Sequence, residues 1–304
     1  MPKKRNEPFF NDGEVEAKGS RRINLTSGLA VRTVILSAGR GDWLKRRHTE
    51  MFYAAKGAPE AVVKMWSGGK TFRSVAGALD YVSRSGHLTL TNEDDEKIQG
   101  PDQLHALALE WRDGGSPIPD ESAYKEYECF VFCAPKPVDP GTVYSAASEV
   151  ISEAFEGFQY VKVMHTKETD PSPRASEYPH LHLIVKSRSL AGDRFRPGWR
   201  SVMYLRERYA QALRDRGVEM AATRKFARFR DAGHEKPLGA EKPGFEIPAE
   251  DRCAFNAYSA LWERLQTGGS LERLQAGVIA GYVHTHTGID LERSIDRGGP
   301  SRER

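Results

Sequence analysis

The sequence predicts a mixed α/β or α+β fold built on a sheet with antiparallel pairs. Strand-like apolar runs alternate with segments of helical period through the middle of the chain. The connector from residue 165 to residue 180 is too short for a parallel crossover, so the strands it joins pair antiparallel. A core is affordable: 39% of the 304 residues are hydrophobic and 10% aromatic. Charged residues at 29% and a mean hydropathy of −0.59 add generous polar surface.

Residues 1 to about 58 are polar and glycine-punctuated, and they read as an N-terminal extension. One run in them, LAVRTVIL (Leu29–Leu36), could add a strand. PEAVVKMWSGG reads as a strand ended by a glycine pair, and KTFRSVAGALDYVSRSG as a helix closed by Gly86. In that helix Phe72, Val75, Leu79 and Val82 form a core stripe. GPDQLHALALEWRDGG is a second helix, with Pro101 in its first turn. A strand (Tyr127–Pro135), a helix (DPGTVYSAASEVISEAFEG) and a strand (Gln159–Thr166) follow. A proline-rich connector then leads to the strand HLHLIVKS and a long amphipathic helix striped by Val202, Leu205, Tyr209 and Leu213. Beyond Arg230 come a linker, a helical segment near Asp251–Leu271 and an arginine-rich tail. No internal repeat is visible.

The formal net charge of +3 averages over an uneven distribution. Between Lys186 and Arg230 thirteen basic residues face four acidic ones. Their preference for arginine suits phosphate oxygens, although a solvated helix face has the same composition. The three cysteines, Cys129, Cys133 and Cys253, are at no metal spacing. Cys129 and Cys133 sit in an apolar strand as inert small hydrophobes. No apolar segment reaches membrane-spanning length and the N-terminus has no signal-peptide core, so a reducing cytoplasm is expected.

His180 and His182 alternate with Leu181 and Leu183, which puts both imidazoles on one strand face, about 7 Å apart at Cβ. His165 ends the preceding strand. Antiparallel pairing brings it beside His180, and three imidazoles on one patch can hold a divalent ion with open positions. The pair His284 and His286 has no strand with a third histidine and is not expected to bind metal. Tyr81 lies off its helix's core stripe, with Gly77 and Ala78 before it, so its hydroxyl is sterically open. A phenol is a poor nucleophile near neutral pH unless a metal or base favours the phenolate. An open phenol beside a metal suits attack on a phosphodiester.

ALDYVSRSG, a histidine-ended strand and then YPHLHLIV resemble the relaxase or mobilisation endonucleases of the MobA and T-DNA-border class, within the HUH endonucleases. The family's tyrosine motif is matched by Tyr81, Val82, Ser83, Arg84 and Gly86, and its metal motif by His165, Pro179, His180 and His182. PDQLHALALEW and YAQALRDRGVEM also look familial. The resemblance covers about residues 58 to 230 and implies a roughly five-stranded antiparallel HUH-type sheet flanked by helices. It implies an N-terminal extension (1–58), a relaxase domain (59–232) and a C-terminal linker, helical segment and tail (233–304).

Further implications are Tyr81 as nucleophile, His165, His180 and His182 as ligands of Mg²⁺ or Mn²⁺, and DNA contacts at Arg84, Arg188, Arg224, Lys225 and Arg228. The reaction implied is strand-specific nicking of single-stranded DNA at a transfer origin, with a 5′-phosphotyrosyl adduct and a free 3′-OH. Partners implied are accessory DNA-binding proteins and a type IV secretion coupling protein, in a bacterial cytoplasm, with translocation alongside the DNA. The family usually carries an aspartate two residues after the first histidine. Here Lys167 stands there, with Glu168 and Asp170 displaced as the acids available beside the ligands. Three histidines alone would also suit Zn²⁺. Alternative readings are a rolling-circle replication initiator of the same superfamily, a DNA-binding module whose site has decayed, and a zinc hydrolase.

Overall fold

The computed structural model describes residues 40–135, 138–229 and 247–295. Six strands, β1 (Val62–Gly69), β2 (Leu90–Asn92), β3 (Lys97–Ile98), β4 (Tyr127–Cys133), β5 (Tyr160–His165) and β6 (His180–Lys186), form one sheet. Their spatial order is β1-β4-β6-β5-β2-β3, and every neighbouring pair is antiparallel. The α+β architecture is the one expected, with six strands instead of about five. Four of the six are strands read from the sequence, and the other two are the short β2–β3 hairpin, whose sequence LTNEDDEKI is too polar to announce a strand.

Strand alternation divides the sheet between two helical layers. On one face Phe130, Phe132, Leu181, Leu183 and Val185 pack against helices α4 (Pro140–Ala154) and α5 (Trp199–Asp215). On the other, Cys129, Val161, Val163 and Ile184 meet α2 (Phe72–Ser83) and α3 (Pro101–Asp113). The α2 stripe is the one its periodicity predicts, with Val75, Leu79 and Val82 buried. Burying a residue such as Leu79 stabilises the fold by about 1.5–3 kcal/mol, so these stripes decide which face each helix turns inward. A third cluster joins α1 (Arg40–Ala55), α6 (Arg252–Gln266), α7 (Ser270–Thr287) and α8 (Leu291–Ile295) through Met51, Phe229, Tyr258, Ile279, Val283 and Leu291.

Two elements differ from the sequence reading. Residues 40–55 form a helix inside the stretch taken as a polar extension, and its amphipathic character is weak because its inner face meets the C-terminal helices. The helical segment near Asp251–Leu271 is two helices, since Gly268 and Gly269 break it and Glu272 bonds back to the Gly269 amide at 2.6 Å to start α7. The run Leu29–Leu36 and the arginine-rich tail lie outside the described residues. Among the described residues no helix is long and apolar enough to cross a membrane. Cys129 and Cys133 are buried and free, and burial pushes their thiols up to about 12 and about 11.

Candidate metal centre and nucleophile

Register alone assembles the histidines. His165, the last residue of β5, is the direct cross-strand partner of His180, the first of β6, and His182 sits opposite Val163. Directly opposed residues of an antiparallel pair point to the same face, so all three imidazoles share the α2–α3 side. Each offers one ligand nitrogen, and these nitrogens lie within 4.8 Å of one another. Among the described residues this is the one cluster of such side chains. The ring centroids are 4.5–5.2 Å apart.

The environment keeps these rings neutral. Burial lowers His165 to about 4, the Arg84 cation and coupling to His180 adding to the fall against a partial rise from its bond to Val82. Burial, then the other two histidines, lowers His182 to about 2, and burial also lowers His180. Neutral imidazoles keep the lone pair a metal requires. Their other nitrogens are oriented by the backbone. His180 Nδ1–H donates to the Tyr178 carbonyl at 2.9 Å, which leaves Nε2 as acceptor. His165 Nε2–H donates to the Val82 carbonyl at 2.7 Å, which leaves Nδ1 as acceptor, 3.4 Å from the Arg84 Nη2 donor and 3.2 Å from Asp170 Oδ2. Its single proton serves one side, and the other nitrogen keeps its lone pair. His182 Nδ1 is buried without a hydrogen-bond partner. That is a cost a bound cation would remove, so the residues present fit a metal.

The acid displaced along the chain is folded back into place. Thr166 and Thr169 exchange hydrogen bonds across a turn, and the Asp170 amide closes it on the Thr166 carbonyl at 2.9 Å. This carries Asp170, 7% exposed, beneath His165. There it takes a two-point ion pair from Arg84, with Nε–Oδ1 2.9 Å and Nη2–Oδ2 2.8 Å. The guanidinium and then the Ser172 amide hold the Asp170 carboxyl well below the usual carboxylate range, against burial. Lys167 is exposed and pairs with Glu177, and Glu168 is exposed.

The Ser-Arg-x-Gly sequence now has a physical reading. α2 starts on a capping box, Thr71 Oγ1 accepting from the Ser74 amide at 3.1 Å, and ends in three consecutive left-handed residues, Arg84, Ser85 and Gly86. Buried Ser83 steadies that turn by accepting from the Gly86 amide at 3.1 Å and donating to the Asp80 carbonyl. At Gly86 a Cβ would stand 2.7 Å from the Gly100 carbonyl carbon, so only glycine fits. The turn sends Arg84 inward to Asp170 while Tyr81, one turn earlier, stays 54% exposed.

Trp66 bridges the two halves of the site. Its ring centroid is 5.6 Å from Tyr81 and 5.6 Å from His182. A bulge between Met65 and Ser67 leaves Trp66 out of the β1–β4 ladder, a device that re-aims side chains beside sites. The Arg84 guanidinium lies 4.9 Å from the Tyr81 ring centroid. Sequence reasoning missed Trp66 because a lone tryptophan before a glycine pair does not say which strand its own lies beside. Three other tyrosines are placed differently: Tyr204 points to Glu153, Tyr53 packs under Arg214 and Lys56, and Tyr178 lies beside His180 through its carbonyl.

The basic run 186–230 is dispersed by the fold. Arg194 pairs with Glu126, Arg206 and Arg228 with Glu60, Arg208 with Glu153, Arg214 with Glu50 and Arg216 with Glu149. Lys186 is buried, donates to Gln159 Oε1 at 2.8 Å, and is pulled to about 8 by burial. Arg188 lies past the far end of β6, about 20 Å along the strand from His182. Arg224 and Lys225 lie at the surface beside Trp199 and Phe226. The expected DNA contacts therefore do not form one patch: Arg84 belongs to the histidine site, and Arg188 is remote from it. His284 and His286 lie on α7, where His286 stacks on Phe229.

No protein-family model matches the chain. It is similar to the T-DNA border endonuclease VirD2 of Rhizobium rhizogenes, 27% identical over 156 residues, which cover 46% of this chain and 33% of that protein. It is similar also to VirD2 of Agrobacterium fabrum (strain C58), 25% identical over 194 residues, 56% of this chain and 40% of that protein. The chain thus matches well under half the length of these relatives. Both relatives are T-DNA border endonucleases by name, and the histidine cluster of this chain could bind a metal ion.

Proposed function

We propose that the chain is a DNA relaxase, nicking single-stranded transfer-origin DNA at a defined position by tyrosine transesterification. One observation carries the reading: the exposed Tyr81 phenol and the three-histidine cluster flank the same indole, Trp66. An exposed nucleophile beside a group of neutral, metal-competent imidazoles is what phosphodiester attack needs. The two VirD2 relatives support the substrate class.

His165, His180 and His182 would hold a divalent ion, Mg²⁺ or Mn²⁺ on the family resemblance, which when bound withdraws charge from a non-bridging phosphate oxygen. The Tyr81 oxygen forms the new bond to phosphorus and the bond from phosphorus to the 3′-oxygen breaks. The phenolic proton is lost and the departing 3′-oxygen gains one, so the step is balanced without a further reactant. Arg84 brings a fixed positive charge beside the tyrosine ring, held in place by Asp170 rather than by DNA. The tyrosyl phosphodiester keeps the bond energy, so a later attack by a 3′-hydroxyl rejoins the strand. A starting role in conjugative transfer, with accessory proteins and a secretion coupling protein as partners, completes the proposal.

The test is incubation with transfer-origin single strands and Mg²⁺ or Mn²⁺. A covalent protein–DNA band on a denaturing gel, lost with a chelator, is the expected result. Hydrolysis with no covalent intermediate would instead favour a zinc hydrolase.

A further inference from the structure

Away from the histidines, Trp199, 61% exposed, and Phe226, 43% exposed, share one arginine cluster at the surface. Guanidinium groups hold them. Arg224 lies 5.4 Å from the Trp199 ring centroid and 6.0 Å from that of Phe226, Arg200 lies 5.4 Å from Trp199, and Arg47 lies 5.4 Å from Phe226. These residues come from three places in the chain: α1, the first turn of α5, and the 3₁₀ turn Lys225–Ala227. We propose that this surface is a stacking platform for single-stranded nucleic acid, a binding site separate from the histidine cluster.

The chemistry selects the ligand. Nucleobases stack on aromatic faces and guanidinium planes, and guanidinium groups bind phosphates. A duplex keeps its base faces covered, so rings offered this openly favour an unpaired strand.

Position supports the same reading. The loop carrying Arg224 and Phe226 is tied to the sheet where Ala221 bridges Glu60 and where the Thr223 amide donates to Glu60 at 3.0 Å. Glu60 lies two residues before Val62, the first residue of β1, and Val62 heads the cross-strand row Val62–Cys133–His180–His165. Val62 and His180 are two strand spacings apart, about 10 Å. The loop thus leaves the sheet at its histidine end, and Trp199 opens α5 on the face opposite the imidazoles, so a strand that engages both has to pass around that end of the sheet.

The proposal rests on the single-strand DNA reading above, and the test separates the two. Anisotropy titrations of the full chain would use labelled oligothymidylates of about 20 and about 6 nucleotides, and a duplex of the longer length. The double variant Trp199→Ala, Phe226→Ala is expected to bind the long strand at least about tenfold more weakly and the short strand unchanged, with an unaltered unfolding midpoint. Equal affinity of variant and wild type for the long strand, alongside a normal Tyr81 adduct, overturns the platform alone. Equal losses for duplex and single strand overturn it as a stacking site. Wild type that binds no single strand overturns both readings.

Discussion

Arg84 and Asp170, 86 positions apart in sequence, meet in a two-point ion pair directly beneath His165. The contact joins the turn that ends the tyrosine helix to the turn that follows the first histidine. It therefore fixes where Tyr81 stands relative to the imidazoles. Lys167 occupies the position where an acid is usual in the resembling family, yet a carboxylate reaches the ring three residues later.

Asp170→Asn should therefore act on both stability and metal. It leaves a partly buried guanidinium without its counter-charge, for a loss of about 2–4 kcal/mol, with the exposed edge of Arg84 keeping the cost below that of a fully buried pair. Metal affinity should fall about 10–100-fold, as for other partners of ligating histidines. Lys167→Asp should raise it little. Denaturant unfolding and calorimetric titration with Mn²⁺ measure both effects. A large gain from Lys167→Asp would show that Asp170 does not serve that role.

Gly77 lies one helical turn before Tyr81 on the exposed side of α2, and a Cβ there would meet nothing within 4 Å. Gly77→Ala should raise stability by about 0.5–1 kcal/mol, since the helix gains a better former and the unfolded chain loses freedom. The added methyl projects where the strand would approach Tyr81, so adduct yield should fall as the unfolding midpoint rises. An unchanged yield would put the path of the DNA elsewhere.

The parts legible in the sequence were those set by local periodicity. Alternation in HLHLIVKS and the short 165–180 connector were enough to assemble the histidines, because β register follows from face and turn length. The Val75, Leu79 and Val82 stripe likewise announced which side of α2 leaves Tyr81 open. Long-range pairings were not legible. The arginines after Lys186 read as an anion-binding run because Glu50, Glu60, Glu126, Glu149 and Glu153, which pair with them, are distant in sequence. Trp66 reaches the site only because β4 lies between its strand and the histidines. The helices 40–55 and 270–287 were missed because each buries its apolar side mainly on the other's neighbourhood, not on the sheet.

Acid should destabilise the apo protein well above the range of carboxylate titration. His165, at about 4, and His182, lower still, both fall below the ordinary histidine value of about 6.5 when folded. As pH falls, the unfolded chain binds these protons first. Stability is complete above about pH 6.5 and declines toward pH 4, and the contribution of Asp170, present above about pH 3.9, is lost lower down. Unfolding midpoints with chelator should show this slope, and His182→Asn should flatten it. Saturating Mn²⁺ should raise the midpoints while leaving the onset near pH 6.5, which the unfolded chain sets, and should extend the decline below pH 4, because protons and metal compete for the same nitrogens in the folded state. A flat midpoint between pH 6.5 and 4.5 would mean the imidazoles are not held neutral by burial.

Tyr81 is the residue on which the proposed chemistry turns. Its ring is exposed, off the core stripe, tilted against Trp66 and overlain by the Arg84 guanidinium, contacts that a phenyl ring keeps, so Tyr81→Phe removes one oxygen and little packing. Folding, metal binding and single-strand affinity should survive within measurement error, while the covalent adduct disappears. The competitor is Tyr178, 39% exposed and adjacent to the metal strand. Its tie to the site is through its backbone carbonyl, which orients His180 whatever its side chain is. Tyr178→Phe should therefore keep adduct formation near wild type. The two variants, run on one denaturing gel with the same labelled strand, decide between them: an adduct that persists in Tyr81→Phe and vanishes in Tyr178→Phe would move the nucleophile to β6's approach and leave the exposed phenol on α2 without a catalytic role.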